Sequence, residues 1–573
     1  MSKFKGFEPN WYKDDSPKRS YRSIFKWGDQ KEYKLPNERL YKMMKSTFDM
    51  KDDDFKAPID LGLDEVNLKL PVNLKDGDIE QFKSIVGDDN VTTDEYLRLQ
   101  VAYGKTMLDV MRLRKKIVEN VPDCVIYPRN REDIKRIVAY CNENLINIYV
   151  YGGGSSVTRG VEATKGGITL DMRKNFNKVI NFNEKNQTIT VEAGMSGPKL
   201  EETLNNAMEL FGAKRKYTCG HFPQSFEYSS VGGWVVTRGA GQNSTYYGKI
   251  EDIVISQEYV TPVGYLVTDE FPATATGPNI DQIMIGSEGA YGILTHVTLR
   301  VFRLMKKNQF KFSYIFKSWE DAREAAKEIM QNESGYPSVF RLSDPEETDV
   351  ALKLYGVEGT VLEKGMNFLG YKPMQRCLFL GFTDGERKFA KNVKKNVKKI
   401  CKKYGAMYLT GYPTKSWEHG RFKDPYLRDV LQDFGVMTDT IECSVTWDNM
   451  LEVHEGVREF CKSRPNTICM THMSHVYPQG ANLYFIFIAK MDSIEEYTEY
   501  QKGILDSIQK FGGSMSHHHG IGKSFGPWLE GQIGKETFLV YKALKNHFDP
   551  NNIMNPGGTL GLDLPDSEKR FNK

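Results

Sequence analysis

The chain has 573 residues, 40% hydrophobic and 12% aromatic, enough for several domains and a large core. Lysine and arginine number 78 against 75 acidic residues, a formal charge of +3, so no basic excess recruits nucleic acid. Eight scattered cysteines with no C-x-x-C pair fit reduced thiols better than a disulfide framework or a zinc-thiolate site. No run approaches the ~18 uninterrupted apolar residues of a spanning helix. The start Met-Ser-Lys-Phe-Lys-Gly has no secretory apolar segment, and the end Arg-Phe-Asn-Lys is not a peroxisomal Ser-Lys-Leu address. A cytoplasmic protein is expected, soluble or peripheral on a membrane.

Residues 1–90 are polar, charged and aromatic-rich (Trp11, Tyr12, Phe25, Trp27) and read as an N-terminal arm lying on the main body. From Thr93 to Asn120, Leu97, Val101, Met107, Leu108 and Met111 recur at three and four, which predicts helix. Pro122 to Pro128 predicts a short strand stopped by proline. Asn130 then opens a helix through Asn144, with Ile134, Ile137, Val138 and Cys141 on one face. The strand predicted over 145–150 runs into Tyr151, Gly152, Gly153, Gly154, Ser155, Ser156 and Val157. Consecutive glycines let the backbone take positive φ and turn successive N–H groups toward an anion, as in a pyrophosphate cradle. A tight turn is the plain alternative, and the loop matches neither G-x-G-x-x-G nor G-x-x-x-x-G-K-[ST].

Short strands are predicted over 167–171, 178–182 and 187–193, then a capped helix from Ser196 with Leu200, Leu204 and Met208 along its apolar side. Two glycine-, serine- and aromatic-rich pieces follow, 219–241 and 285–295, of the kind that lets a backbone approach a ligand closely. Beyond about 300, strand-like and helical segments alternate. Residues 386–404 hold nine Lys or Arg, with Phe389, Val393, Val397, Ile400 and Tyr404 on one helical face. Such a helix can lie on an anionic membrane; a solvated helix outside a mixed sheet is the favoured reading. Asn482 to Ile488 predicts an apolar strand, and 512–523 carries three consecutive histidines.

The glycine loop, Ser230-Val-Gly-Gly-Trp-Val-Val-Thr-Arg238, Gly286-Ser-Glu-Gly-Ala-Tyr-Gly-Ile293 and Asp549-Pro-Asn-Asn-Ile553 together resemble flavoproteins of the vanillyl-alcohol-oxidase family. Within it, Cys219 to Trp234, Tyr426-Leu-Arg-Asp429 and Ser516-His-His-His-Gly-Ile-Gly-Lys523 resemble the alkyldihydroxyacetonephosphate synthase branch. Coverage runs from about residue 90 to 560, with weaker similarity around Phe25-Lys-Trp-Gly28. The resemblance implies an α+β fold, a two-part FAD-binding domain with a mixed-sheet substrate (cap) domain. The divisions are an arm at 1–90, the FAD domain at 91–300, the cap at 301–510, and a C-terminal segment at 511–573 that packs back on the FAD domain. It further implies exchange of the acyl chain of acyl-dihydroxyacetone phosphate for a long-chain fatty alcohol, in ether-lipid synthesis. Flavin N5 would carry the dihydroxyacetone carbon between the two halves, with no net redox change. A homodimer is expected, and a long-chain alcohol adds the expectation of a peripheral membrane surface that the sequence does not locate.

Beside the glycine loop, the matching flavin-lining stretches supply Gln224, Ser225, Tyr228, Ser229 and Ser230, then Thr237, Arg238, Gly239 and Ala240. A third stretch supplies Glu288, Gly289, Tyr291, Gly292 and Ile293. Some family members attach the flavin within the stretch matching 151–160; no His or Cys lies there, so non-covalent FAD is expected. Arg428 matches the family's phosphate-binding arginine, and guanidinium suits phosphate with two parallel hydrogen bonds. Taken alone, it reads as a helix-surface ion pair with Asp424 or Asp429. Arg341 matches a functionally important arginine, either substrate-binding or a buttress of the flavin pocket. Tyr484 matches the catalytic tyrosine, a general acid/base; a phenol titrates near pH ~10, so cationic neighbours are expected to lower it. His517, His518 and His519 are expected to provide that setting and to hydrogen-bond the leaving carboxylate.

The alternative is a 2-hydroxy-acid dehydrogenase or oxidase of related fold, which typically carries Gly-His-x-Gly-Asp-Gly-Asn-x-His and a glutamate in Ala-Glu-His-Gly. Here Tyr484 stands for the second histidine and His518 for the glutamate, so two metal ligands are lost and no metal is expected. His472 and His475 remain as an H-x-x-H pair. Pro478-Gln-Gly departs from the animal synthases and leaves open a bacterial-type relative with another lipid-like or hydroxy-acid substrate.

Overall fold

The computed structural model describes residues 16–571, so Trp11 and Tyr12 lie outside the described residues. A four-stranded sheet runs in the order Val91–Thr92, Cys124–Ile126, Ile168–Asp171, Ile148–Tyr151, its last three strands parallel. Parallel strands need a crossover, here the helix Arg131–Asn144. The Asn130 side chain caps it by accepting from the Asp133 N–H, and Ile134, Ile137, Val138 and Cys141 are buried as their spacing predicts. The edge strand Ile148–Tyr151 is completed from far along the chain: the Ile148 N–H donates to the Ile553 carbonyl, and the Asn555 N–H donates to the Ile148 carbonyl. An antiparallel five-stranded sheet follows, in the order Val179–Asn183, Thr188–Glu192, Ile293–Arg300, Val254–Thr261, Gly264–Val267.

Two local expectations change. The helical pattern over 93–120 splits into Glu95–Ala102 and Met107–Arg114. At the break, a Cβ on Gly104 would run into the Ser156 carbonyl oxygen, and the Lys105 N–H donates to that oxygen at 2.6 Å. The interruption seats the chain against the glycine loop. The helix after Ser196 ends at Asn205 and a short one restarts at Ala207, so Met208 turns outward and is exposed rather than apolar-packed.

Where a mixed sheet is expected in the second half, all seven strands run antiparallel. Their order is Met407–Tyr408, Phe310–Phe316, Cys377–Thr383, Val339–Ser343, Ile468–Tyr477, Gly480–Lys490, Val436–Thr446. The basic helix Arg387–Lys403 lies on this sheet and buries Ala390, Val393, Val397, Ile400 and Cys401, so most of its apolar face is covered while Phe389 stays exposed. The arm helix Tyr21–Phe25 and the two helices over 95–114 share that core through Phe25, Leu99 and Met107. All eight cysteines are free and buried. No described helix is long and apolar enough to cross a membrane.

Candidate active site

A cavity runs from the glycine turn at the end of strand Ile148–Tyr151 to one face of the seven-stranded sheet. At the turn a Cβ on Gly152 would meet the Ser230 Oγ, one on Gly153 the Tyr228 carbonyl oxygen, and Gly154 has φ +70°. Only bare backbone closes here, which leaves Gly152 to Val157 on the cavity wall. Ser230 caps the helix Val231–Val236, its Oγ accepting from the Gly233 N–H at 3.2 Å. Glu288, at φ +50°, accepts from the Ile521 and Gly522 N–H groups, each at 2.6 Å, tying the third flavin stretch to the segment after the histidines. Burial pushes its carboxyl up to about 7 despite those two donors.

The sheet supplies the opposite wall. His472 pairs with Tyr484 and Tyr484 with Glu442 across three adjacent strands, so the three side chains share one face. The His472 and Tyr484 rings stack at 4.9 Å. Arg341 donates from Nη1 to His472 Nε2 at 2.9 Å and from Nη2 to Glu347 Oε1 at 2.6 Å. With Nε2 accepting, His472 carries its proton on Nδ1, 3.1 Å from the same Glu347 oxygen. Burial alone would raise Glu347; Arg341 and His472 hold it down at about 2. Arg341 lines the cavity and also orients His472 behind Tyr484.

The three histidines are organised by a residue with no local signal in the sequence. Glu442 accepts from the N–H groups of His517 (2.8 Å), His518 (3.0 Å) and His519 (3.0 Å), from Ser516 Oγ (2.7 Å) and from Asn482 Nδ2 (2.7 Å). His518 and His519 reach the cavity beside Tyr484, with ring centroids 6.0 and 5.5 Å from its ring. His517 turns away, its Nε2 2.8 Å from the Tyr477 Oη and its Nδ1 3.1 Å from His518 Nδ1. Burial, then repulsion among neighbouring basic groups, holds His517 and His518 well below their usual range; burial also lowers His519. The histidines near Tyr484 are thus pushed toward their neutral form. Burial pushes the Tyr484 phenol up to about 12, with Arg341 the cation that lowers it, and Tyr484 donates to Thr440 Oγ1 at 3.0 Å.

Glu442, His517 and His518 place one donor atom each within 4.8 Å of one another, a spacing a metal could use. The Glu442 oxygens are already taken by five donors, so the carboxylate works as the anchor of the histidine segment. The H-x-x-H pair does not converge either. Both ring nitrogens of His472 are engaged, and a β-bulge at His475, with φ +49°, sends that ring to Ser244 Oγ at 2.6 Å.

Arg428 lies on the helix Asp424–Gln432, buried rather than on a surface. Its Nη1 donates to the Lys105 carbonyl at 2.9 Å and its Nη2 to Asp429 at 3.3 Å, while Asp424 pairs with Lys34. Gln224, Ser225, Ser230, Thr237, Gly239, Ala240, Glu288, Gly289, Gly292 and Ile293 also line the cavity. Six expected residues do not. Tyr151 lies under Arg173, Tyr228 under Trp27, and Tyr291 is stacked on Phe548 in the core. Ser229 accepts from the Trp234 indole, Arg238 reaches the Gln282 and Ile285 carbonyls, and His517 stands behind His518. Trp27, Trp417, Thr438 and Asn555 line the wall without having been expected there. The arm sequence around Trp27 was the one available hint. The bare-backbone turn, together with buried Gln242 Oε1 and Thr438 Oγ1 atoms that find no partner among the described residues, fits a large polar cofactor such as FAD.

Comparison with known proteins agrees. The model of a FAD binding domain matches residues 122–270, and that of the C-terminal domain of FAD linked oxidases matches 309–559. Alkyldihydroxyacetonephosphate synthase of Dictyostelium discoideum is 31% identical over 498 residues, 83% of this chain and 80% of that one. The synthase of Trypanosoma brucei brucei is 27% identical over 564 residues, 94% and 89% of the two chains. A solved alkyldihydroxyacetonephosphate synthase structure superposes with a TM-score of 0.77 at 26% identity, covering 94% of this chain and 99% of that one. With such identity over four-fifths of both chains, this chain belongs to the alkyldihydroxyacetonephosphate synthase family of FAD-binding flavoproteins.

Proposed function

We propose that the protein is an FAD-dependent alkylglycerone-phosphate synthase, replacing the fatty acid of acyl-dihydroxyacetone phosphate with a long-chain alcohol. The observation that carries this reading is one cavity holding a glycine cradle, a buried Arg428, and Tyr484 flanked by His518 and His519. In the exchange one C–O bond to the acyl group breaks and one C–O bond to the alcohol forms, so no electrons are lost overall. FAD, when bound, supplies an electron-poor ring beside the reacting carbon. Tyr484 Oη, hydrogen-bonded to Thr440, is the group that holds and returns the proton next to the carbonyl. His518 and His519 offer neutral N–H donors to the departing carboxylate, and Arg428 holds the phosphate.

The same proposal divides the chain into an arm at 1–90, an FAD domain at 91–300, a cap at 301–510 and a returning segment at 511–573. It includes a homodimer and a peripheral contact with the bilayer that supplies the alcohol. The test is anaerobic mixing of the yellow holoenzyme with acyl-dihydroxyacetone phosphate plus hexadecanol, and separately with a panel of 2-hydroxy acids. Fatty-acid release with ether formation and an oxidised flavin at the end of turnover is expected. Full flavin reduction by a hydroxy acid, with no fatty acid released, would sink the synthase reading.

A further inference from the structure

Three buried polar groups around Arg428 have no hydrogen-bond partner among the described residues: the Trp27 Nε1–H, the Arg428 Nε–H and the Tyr228 phenol. Their side chains touch. The Arg428 guanidinium carbon lies 5.5 Å from the Trp27 ring centroid, and the Trp27 ring meets Tyr228 edge-on at 5.2 Å. Buried donors are paired in folded proteins, and unpaired ones brought together from three distant segments mark a place where a ligand supplies the partner. Trp27, only 4% exposed, and Arg428 both stand on the cavity wall.

Trp27 is held rigidly. Its backbone N–H donates to Asp429 Oδ2 at 2.6 Å, and the next residue, Gly28, has φ +52° with the Tyr426 phenol where a Cβ would be. Arg428 brings a guanidinium to this corner, beside Asp429. Lys105 and Lys26 stand behind Arg428 and gather with it about Asp429; burial lowers them to about 7 and about 8. Asp439, on the same wall, is tied to the Tyr497 phenol at 2.6 Å. Donors without acceptors, one of them on a guanidinium, suit an oxyanion.

We propose that Trp27 Nε1–H and Arg428 Nε–H, with the Tyr228 phenol behind them, form a subsite for the phosphate monoester of the substrate, so that a residue of the N-terminal arm determines specificity. The inference rests on the reading of Arg428 as the phosphate-binding arginine. A site built to hydrogen-bond one group rejects analogues that lack it.

The experiment is equilibrium dialysis of inorganic phosphate against the FAD-loaded full chain, as wild type, Trp27→Phe, Tyr228→Phe and Arg428→Lys. Phenylalanine keeps the ring contact and deletes only the donor. Trp27→Phe is expected to weaken phosphate binding about tenfold, the usual weight of one hydrogen bond to a charged group. Tyr228→Phe weakens it in the same direction, and flavin content, read from visible absorbance, stays as in wild type. Unchanged phosphate affinity in Trp27→Phe, while Arg428→Lys loses it, overturns the inference and leaves the arginine reading standing. Loss of flavin from Trp27→Phe with phosphate affinity intact also overturns it, because the donor would then serve the cofactor's own phosphates. If wild type itself takes up no phosphate, the arginine reading and the inference fall together.

Discussion

Among the described residues the Tyr484 phenol makes one hydrogen bond, to Thr440, and its ring is enclosed by those of His472, His518 and His519. Phenylalanine at 484 keeps that ring packing and removes only the oxygen proposed to move a proton. The exchange rate of Tyr484→Phe should fall by about 10²- to 10⁴-fold, the usual share of a general acid/base. Bound flavin, measured by its visible absorbance, should be unchanged; turnover close to that of wild type would remove Tyr484 from the proton step. At this scale the sequence exposed the residues that sit in a recognisable string, Arg428 in Tyr-Leu-Arg-Asp and the triple histidine. Glu442 was invisible. It lies in a strand read as Thr-Ile-Glu-Cys-Ser, and its role exists only because a segment 75 residues on folds its N–H groups over that carboxylate. Nothing local encodes such a pairing.

The elements that position the site were legible where their signals are local. The helix Arg131–Asn144 and the strands around it follow from apolar spacing and an asparagine cap. The interruption at Gly104 was not, because its cause is the Ser156 carbonyl rather than any neighbour in sequence. The same is true of the bulge at His475, which no propensity reports. The glycine turn is the element whose geometry is least forgiving. Gly153→Ala puts a methyl group into the Tyr228 carbonyl, backbone against backbone, with no flexible side chain to yield. Purified Gly153→Ala is expected to come off the column with less than about a tenth of the wild-type flavin content, since reopening the turn separates the cradle from the Ser230 helix. A fully yellow Gly153→Ala protein would show that the turn is not the cofactor's cradle.

Taken whole, the molecule buries neutral histidines at its centre, and this sets how it meets acid. His475, His517 and His518 sit well below their usual range in the folded protein because burial disfavours the charged ring. In the unfolded chain each takes up a proton near pH ~6.5. Below that pH the unfolded state binds more protons than the native one, so this part of the stability is whole above about 6.5 and is lost as pH falls. Each such histidine steepens the loss by up to about 1.4 kcal/mol per pH unit. His475→Asn, which keeps a polar partner for Ser244, should make the fall in apparent Tm between pH 7 and 5.5 shallower by one proton's share. An unchanged slope would mean that His475 is not buried neutral. The edge of the cofactor sheet carries a different consequence. Ile148 is hydrogen-bonded to residues 553 and 555, and the Asn555 side chain donates to the carbonyls of Gly160 and Glu288 beside the glycine turn. A ribosome that has just released residue 300 has exposed every glycine of the cavity wall, yet the segment they lean on is still more than 250 codons away. The flavin pocket is thus among the last features to be finished as the chain is made, and the nascent polypeptide must wait, uncoloured, for its own tail.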